Sequence, residues 1–246
     1  MARRRACSFL LGLIVLYGTL ASPLDRIGEQ LLFSAHMLQH ILLIYPVSLL
    51  LLVGLPVWFL QPLLARPGIW PVVRGVTHPV LTCVAFTVVF AVWHIPGLYE
   101  WALRDRTIHD LEHLSMLGIG FLMWWPLCRV MPRFPQLPPG VQMLYLLALT
   151  IGQIPLFAYL TFAPEVLYPT YAAAPRLIAL SPLEDQQLGG ILMKVASMIA
   201  LFAALAVAFW RWYQHESTPR SRHDRAASSP RVPTSPVSTR ITHVHL

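Results

Sequence analysis

The sequence predicts an all-α, polytopic transmembrane helix bundle of about six spans. Three observations carry that prediction. Only 12% of the 246 residues are charged while 56% are hydrophobic, against about 25% charged in an ordinary soluble domain. The apolar residues gather into runs near the roughly 20 residues that a span requires. The period-two alternation of a membrane β-barrel is absent, which leaves the helix as the structure that satisfies its own backbone in lipid.

In chain order the runs are Ala6 to Ala21, Leu31 to Leu55, Pro79 to Ile95, Leu114 to Val130, Val141 to Ala163 and Leu188 to Trp212. The first follows Arg3, Arg4 and Arg5 and is short enough to be read also as a signal peptide cleaved after Ala21, with Thr19 and Ala21 as small residues at the cleavage site. An uncleaved helix is the expectation, and cleavage would leave five spans. Pro46, Pro126 and Pro155 fall inside runs and predict kinks whose freed carbonyls neighbours must satisfy. Trp93, Trp101, Trp124, Trp125, Trp210 and Trp212 stand near run ends and read as interfacial anchors. Beyond Tyr213 the composition turns to Ser, Thr, Pro and Arg, so residues 1–213 are expected as the bundle and 214–246 as a disordered basic tail.

The net charge of +7 does not indicate a nucleic-acid partner, because the arginines lie in short connections and the tail. With the N-terminus cytoplasmic, the inner side receives Arg3, Arg4, Arg5, Arg66, Arg74, Arg129, Arg133, Arg211, Arg220, Arg222, Arg225, Arg231 and Arg240. The outer side receives Arg26, Arg104, Arg106 and Arg176. That asymmetry predicts N-in, C-in.

In this topology five of the ten histidines fall at the outer face: His36, His40, His94, His109 and His113. His36 with His40, and His109 with His113, are HxxxH pairs, and i,i+4 spacing puts both rings of each pair on one helical face. Glu112 and Met116 extend the second stripe, and Met37 adjoins the first pair. Imidazole with thioether suits copper, and imidazole with carboxylate suits zinc equally. Glu112 or Asp110 is placed to orient a liganding ring. The plain alternative is interfacial histidines without a ligand, which fits one such residue better than five.

Asp185 opens the last run and reads either as a charge favoured at a helix N-terminus or as a functional group. Lys194, deeper in the same run, is expected to snorkel outward or pair with Asp185 or Glu184. Gly189, Ala196, Ala200 and Ala203 suggest a stripe for close packing. Cys7, Cys83 and Cys128 are widely spaced, form no CxxC and map to inner ends, so no disulfide or zinc ribbon is expected. They read as small apolar residues more simply than as an inner copper relay. His243 and His245 in the tail define no site.

The blocks "FSAHMLQHILL", "VWHIPGLYEWAL", "HDLEHLSMLGIGFLMWWP" and "SPLEDQQLGGILM" resemble, in order and interval, the CtaG family of cytochrome c oxidase assembly factors associated with caa3-type oxidases. The resemblance runs from about Ser22 to Trp212 and falls on His36, His40, His94, Pro96, His109, His113, Asp185 and Gln186. It implies a non-enzymatic protein of the bacterial inner membrane that supplies or handles copper at the outer face during maturation of a haem-copper oxidase. Its implied partners are oxidase subunits and a copper donor protein, beside the bilayer. Soluble copper chaperones that share the CtaG name use cysteine thiolates, and no outer cysteine exists here. Two other readings of the same histidines are a b-type cytochrome with bis-histidine haem, which needs a second level that His78 alone supplies poorly, and a zinc hydrolase using Glu112 in HxxEH as its base.

Overall fold

The computed structural model describes residues 2–64, 66–128 and 136–217, and every regular element among them is a helix. In order these are α1 (Ala2–Leu20), α2 (Pro23–Gln30), α3 (Phe33–Gly54), α4 (Val57–Leu64), α5 (Ile69–Val76), α6 (Pro79–Trp93), α7 (Pro96–Arg104), α8 (Arg106–Trp124), α9 (Pro139–Thr161), α10 (Pro169–Ala173) and α11 (Pro182–Ser217). By length and composition α3, α9 and α11 can each cross a membrane. The bent pairs α1 with α2 (44°) and α5 with α6 (65°) raise the number to five if each pair is one span.

The run expected as the fourth span is helical as α8, but its first two turns hold Arg106, His109, Asp110, Glu112 and His113. The side chains that make α8 interesting chemically are those that deprive it of a spanning composition. The last helix continues past Tyr213 to Ser217, and the expected tail beyond it lies outside the described residues. Arg129, Arg133, Arg220, Arg222, Arg225, Arg231, Arg240, His243 and His245 lie outside them too.

The centre of the bundle is α3. Along its second half runs α1, α2 and α11 pack on its first half, and α8 lies beside its middle. The middle contains a π-turn, Leu43–Val47, around Pro46, where the helix relaxes its spacing to accommodate the ring. The Ile44 carbonyl there accepts from the Trp124 indole at 3.2 Å and from the Ser48 hydroxyl. Pro126 sits in the 3₁₀ turn Trp125–Leu127 that ends α8, and Pro155 follows a break at Gln153 within α9.

Two glycines permit close crossings beside the histidines. A Cβ at Gly28 would stand 2.5 Å from Gln39 Oε1 and 3.0 Å from the His36 backbone, so only glycine lets α2 lie on α3 there. A Cβ at Gly189 would stand 2.5 Å from the Phe33 ring, which seats α11 against α3. The buried stripe of α11 then continues through Met193, Ser197 and Leu201. Ala196 and Ala200 are only half-buried and Ala203 is exposed, so the predicted small-residue stripe is rotated by about one residue.

Apolar side chains cover the exterior, among them Ile14, Val84, Leu144, Ile199 and Trp210, while His36, Gln39, His40, His94, Glu112, Asp185 and Gln186 are interior. Such a distribution suits a hydrocarbon surround, where polar groups belong inside the bundle. Trp101, Trp210 and Trp212 are exposed as anchors would be, but Trp93 and Trp124 turn inward and pack in the core.

Candidate metal centre

Two helices and a helix end deliver the five histidines to one place. His36 and His40 come from α3, one turn apart, and His109 and His113 from α8. Asp105 caps α8 by accepting from the Thr107 and Ile108 amides at 2.8 and 3.2 Å, which fixes where its first turn begins. His94 terminates α6. All five are buried, and their rings pack with centroids 4.2–5.7 Å apart.

The nitrogens face one another. His36 Nε2 and His40 Nε2 are 3.0 Å apart, and Glu112 presents one oxygen to each, 3.7 Å from His36 and 3.5 Å from His40. Among the described residues, neither Glu112 oxygen has a hydrogen-bond partner, nor does His40 Nδ1 or His113 Nε2. A buried carboxylate left in this state is costly, because desolvation is not compensated. Unsatisfied polar atoms of that kind in a native fold point to an ion or a functional requirement. Two triads have ligand atoms within 4.8 Å of one another: His36, His40 and Glu112, and His36, His109 and His113. His36 belongs to both.

His94 stands outside both triads but is poised for a soft cation. Its Nδ1 donates to the Phe90 carbonyl at 2.6 Å, which leaves Nε2 as the free lone pair, and that atom lies 3.3 Å from Met37 Sδ. A backbone acceptor on the remote nitrogen is the usual way a liganding imidazole is oriented. Met116 is buried one turn beyond Glu112.

Other groups at this end have structural explanations. Asp185 accepts from the Phe33 amide at 2.7 Å, the Ser34 amide at 3.3 Å and the Ser34 hydroxyl. It is therefore the N-terminal cap of α3, supplied from α11, since Leu32 at the cap position has no side-chain acceptor. Helix α11 is capped by a reciprocal box in which the Ser181 amide donates to Glu184 at 2.7 Å and the Glu184 amide donates to the Ser181 hydroxyl at 3.2 Å. Gln186 accepts from the Leu167 amide at 2.7 Å and Gln187 donates to the Ala163 carbonyl at 3.2 Å, pinning the loop between α9 and α10. Lys194 lies over the Phe157 ring, 5.5 Å from its centroid, rather than beside Asp185 or Glu184.

The sequence reading missed the partners of the cluster. Glu29 Oε1 lies 3.2 Å from His109 Nδ1, whereas Asp110, expected beside a liganding ring, is exposed and paired with Arg106 at 3.2 Å. The Tyr171 hydroxyl donates to the Gly28 carbonyl at 2.7 Å, lies 3.0 Å from the Tyr99 hydroxyl, and is 3.5 Å from His36 Nδ1. An acidic residue ahead of "HMLQH" was the available signal for Glu29; nothing local marks the tyrosines.

The arrangement discriminates among chemistries. Rings this close leave no slot for a porphyrin between them, and His78, needed for a second haem level, is exposed at the start of α6. Both oxygens of Glu112 are turned to His36 and His40. The three cysteines are free and stand away from the cluster, with Cys7 exposed and Cys83 and Cys128 half-buried.

The family model for cytochrome c oxidase caa3 assembly factors matches residues 1–215. Similar curated proteins include uncharacterized proteins of Mycobacterium bovis and Mycobacterium tuberculosis, each 24% identical over 246 residues, and of Mycobacterium leprae, 22% identical over 247. Each alignment covers 92% of this chain and 36% of the relative, so the chain spans about a third of their length. No solved structure matches it. The chain belongs to the cytochrome c oxidase caa3 assembly factor family.

Proposed function

We propose that this member of the caa3 assembly factor family takes a copper ion as cargo into the histidine and glutamate centre and passes it to subunits of a haem-copper oxidase. The observation that carries the reading is the set of buried donor atoms without partners, Glu112 Oε1 and Oε2, His40 Nδ1 and His113 Nε2, held together by α3 and α8. Met37 beside His94 favours copper over zinc, because a thioether is a soft ligand. A donor set of overlapping triads, with a flexible methionine at its edge, suits an ion that must be released again. The protein acts in this reading as a metallochaperone and not as an enzyme.

The same reading gives the chain six spans in the bacterial inner membrane, N-in and C-in. Arg3 to Arg5, Arg66, Arg74 and Arg211 lie at the end opposite the histidines in that topology, which accords with cytoplasmic retention of positive charge. The site then opens toward the outer face, where a copper donor protein and the oxidase subunits have access to it, and the chain beyond Ser217 lies on the cytoplasmic side.

The test is metal analysis of protein purified in detergent from copper-supplemented cells, for the wild type and a His36→Ala/His40→Ala variant, with oxidase copper content measured in the same strains. Stoichiometric copper that disappears in the variant, together with copper-poor oxidase, is the expected result. Copper-replete oxidase in the variant strain would end the copper reading, and iron with a Soret band would replace it by haem.

A further inference from the structure

A cavity borders the centre. It has a volume of about 370 Å³ and lies between the end of α1, the start of α2 and the first turns of α8. Asp25, Arg106 and Asp110 line it together with His109 and His113, and leucines of α1, α3 and α8 complete the wall. His113 Nε2, buried and without a partner, thus belongs to a side chain that borders open space.

Burial is graded from this wall inward. The wall side chains of Arg106 and Asp110 are 71% and 63% exposed and that of His109 4%, while Glu29 and His36, which touch the wall residues without lining the cavity, are 21% and 0% exposed. Glu29 Oε1 links the exposed and buried halves, standing 3.7 Å from Arg106 Nη1 and 3.2 Å from His109 Nδ1. Asp25 is held in place by Gln39, which donates to it at 2.9 Å. Carboxylates at the mouth attract a cation and imidazoles replace its water further in, while Arg106 occupies the linking oxygen and repels the ion. Its guanidinium is exposed and stands 3.7 Å from Glu29, so that pair is weak and the guanidinium can leave at little cost.

We propose that this cavity is the port of the centre and that Arg106 is its latch. On displacement of Arg106 from Glu29, the cation is taken up by Glu29, passes to His36, His109 and His113, and comes to rest at His36, His40 and Glu112, with His36 as the ligand common to both stations. Only ligand exchange is involved, and the ion keeps its oxidation state throughout. The proposal rests on the centre being a cation site and adds the direction of traffic and the groups that control it.

The experiment mixes purified full-length protein with Cu(I) supplied as its bicinchoninate complex and follows loss of the complex's colour by stopped flow. Release is followed by the reverse competition. Arg106→Gln should speed both loading and release by about tenfold, the lower end of electrostatic effects on encounter rates. Glu29→Gln should slow both. Because each changes the two rates together, affinity moves much less than either rate, a signature that general damage to the site does not produce. His40→Ala should load at the wild-type rate but release faster, because the second station is lost. Wild-type rates in Arg106→Gln and Glu29→Gln, with copper still bound, would overturn the port while leaving the copper centre standing. No uptake by the wild type would overturn both. Should Glu29→Gln not fold, Asp110→Asn tests the same mouth, with slower loading expected and an unchanged rate counting against the port.

Discussion

Two buried polar clusters meet on the first turns of α3, and they are built on opposite rules. Around Asp185 each acceptor is used: two amides and a hydroxyl of α3 converge on one carboxylate. One or two turns further along, Glu112 is equally buried and neither of its oxygens has a hydrogen bond. A carboxylate that satisfies the backbone contributes to folding, whereas one that is left facing two imidazoles costs stability. The contrast separates a cluster that holds the bundle from the one to which the copper reading assigns the chemistry.

The largest effect should come from breaking the satisfied cluster. Asp185→Ala removes the charged acceptor of Phe33 and Ser34 and uncaps α3, at a cost of about 3 kcal/mol or more for several hydrogen bonds to a charged group. Thermal unfolding in detergent should show this loss with or without copper, and Asp185→Asn should be intermediate. A full-stability Asp185→Ala protein would mean that α3 does not depend on its cap.

The unsatisfied cluster should respond to ligand instead. Copper at about 100 times its dissociation constant should stabilise the wild type by about 2.7 kcal/mol through linkage. The His36→Ala/His40→Ala variant should gain nothing measurable in the same unfolding experiment. Equal gains in both proteins would place the binding elsewhere.

A smaller effect of unusual sign sharpens the contrast. Glu112→Gln replaces a buried carboxyl that has no hydrogen bond with a neutral amide, so the metal-free variant should be as stable as the wild type or more stable by about 1 kcal/mol. Its copper retention should fall at the same time. Loss of stability without copper would show that Glu112 belongs with Asp185 as a structural group.

These two clusters were not equally legible in the sequence. Ionisable residues at i,i+4 in an apolar run stand out because lipid gives them no other reason to be there, and His36, His40, His109 and His113 converge as their spacing implies. Asp185 was legible as a helix-start residue, but local capping rules assign such a residue to its own helix. Here Ser181 and Glu184 already cap α11, and the approach of α11 to α3 at Gly189 hands Asp185 to the neighbour. Glu29 was hidden for a similar reason, since its meeting with His109 depends on α2 lying flat on α3 over Gly28. Inward rotation of Trp93 and Trp124, and Lys194 over Phe157, likewise follow from which face each helix buries. Composition does not encode that choice. The span count suffers from the site itself, because the polar first half of α8 weakens the apolar signal by which spans are recognised.

The finest division between the clusters is at Gln186, adjacent to Asp185 and also buried. Its side-chain oxygen is the acceptor for the Leu167 amide at 2.7 Å, and its nitrogen reaches the Glu165 carbonyl at 3.4 Å. Gln186→Ala leaves that amide without its acceptor, a neutral hydrogen bond worth about 1 kcal/mol. The loop between α9 and α10 carries Tyr168, whose hydroxyl donates to the His94 carbonyl at 2.9 Å, and leads to Tyr171, 3.5 Å from His36 Nδ1, so loosening it should reach the centre through His94 and His36. Unfolding should therefore show a small loss, and copper stoichiometry should hold while release, followed by chelator competition, becomes modestly faster. Loss of stoichiometric copper in Gln186→Ala would move this residue across the division, from the frame of the bundle to the centre.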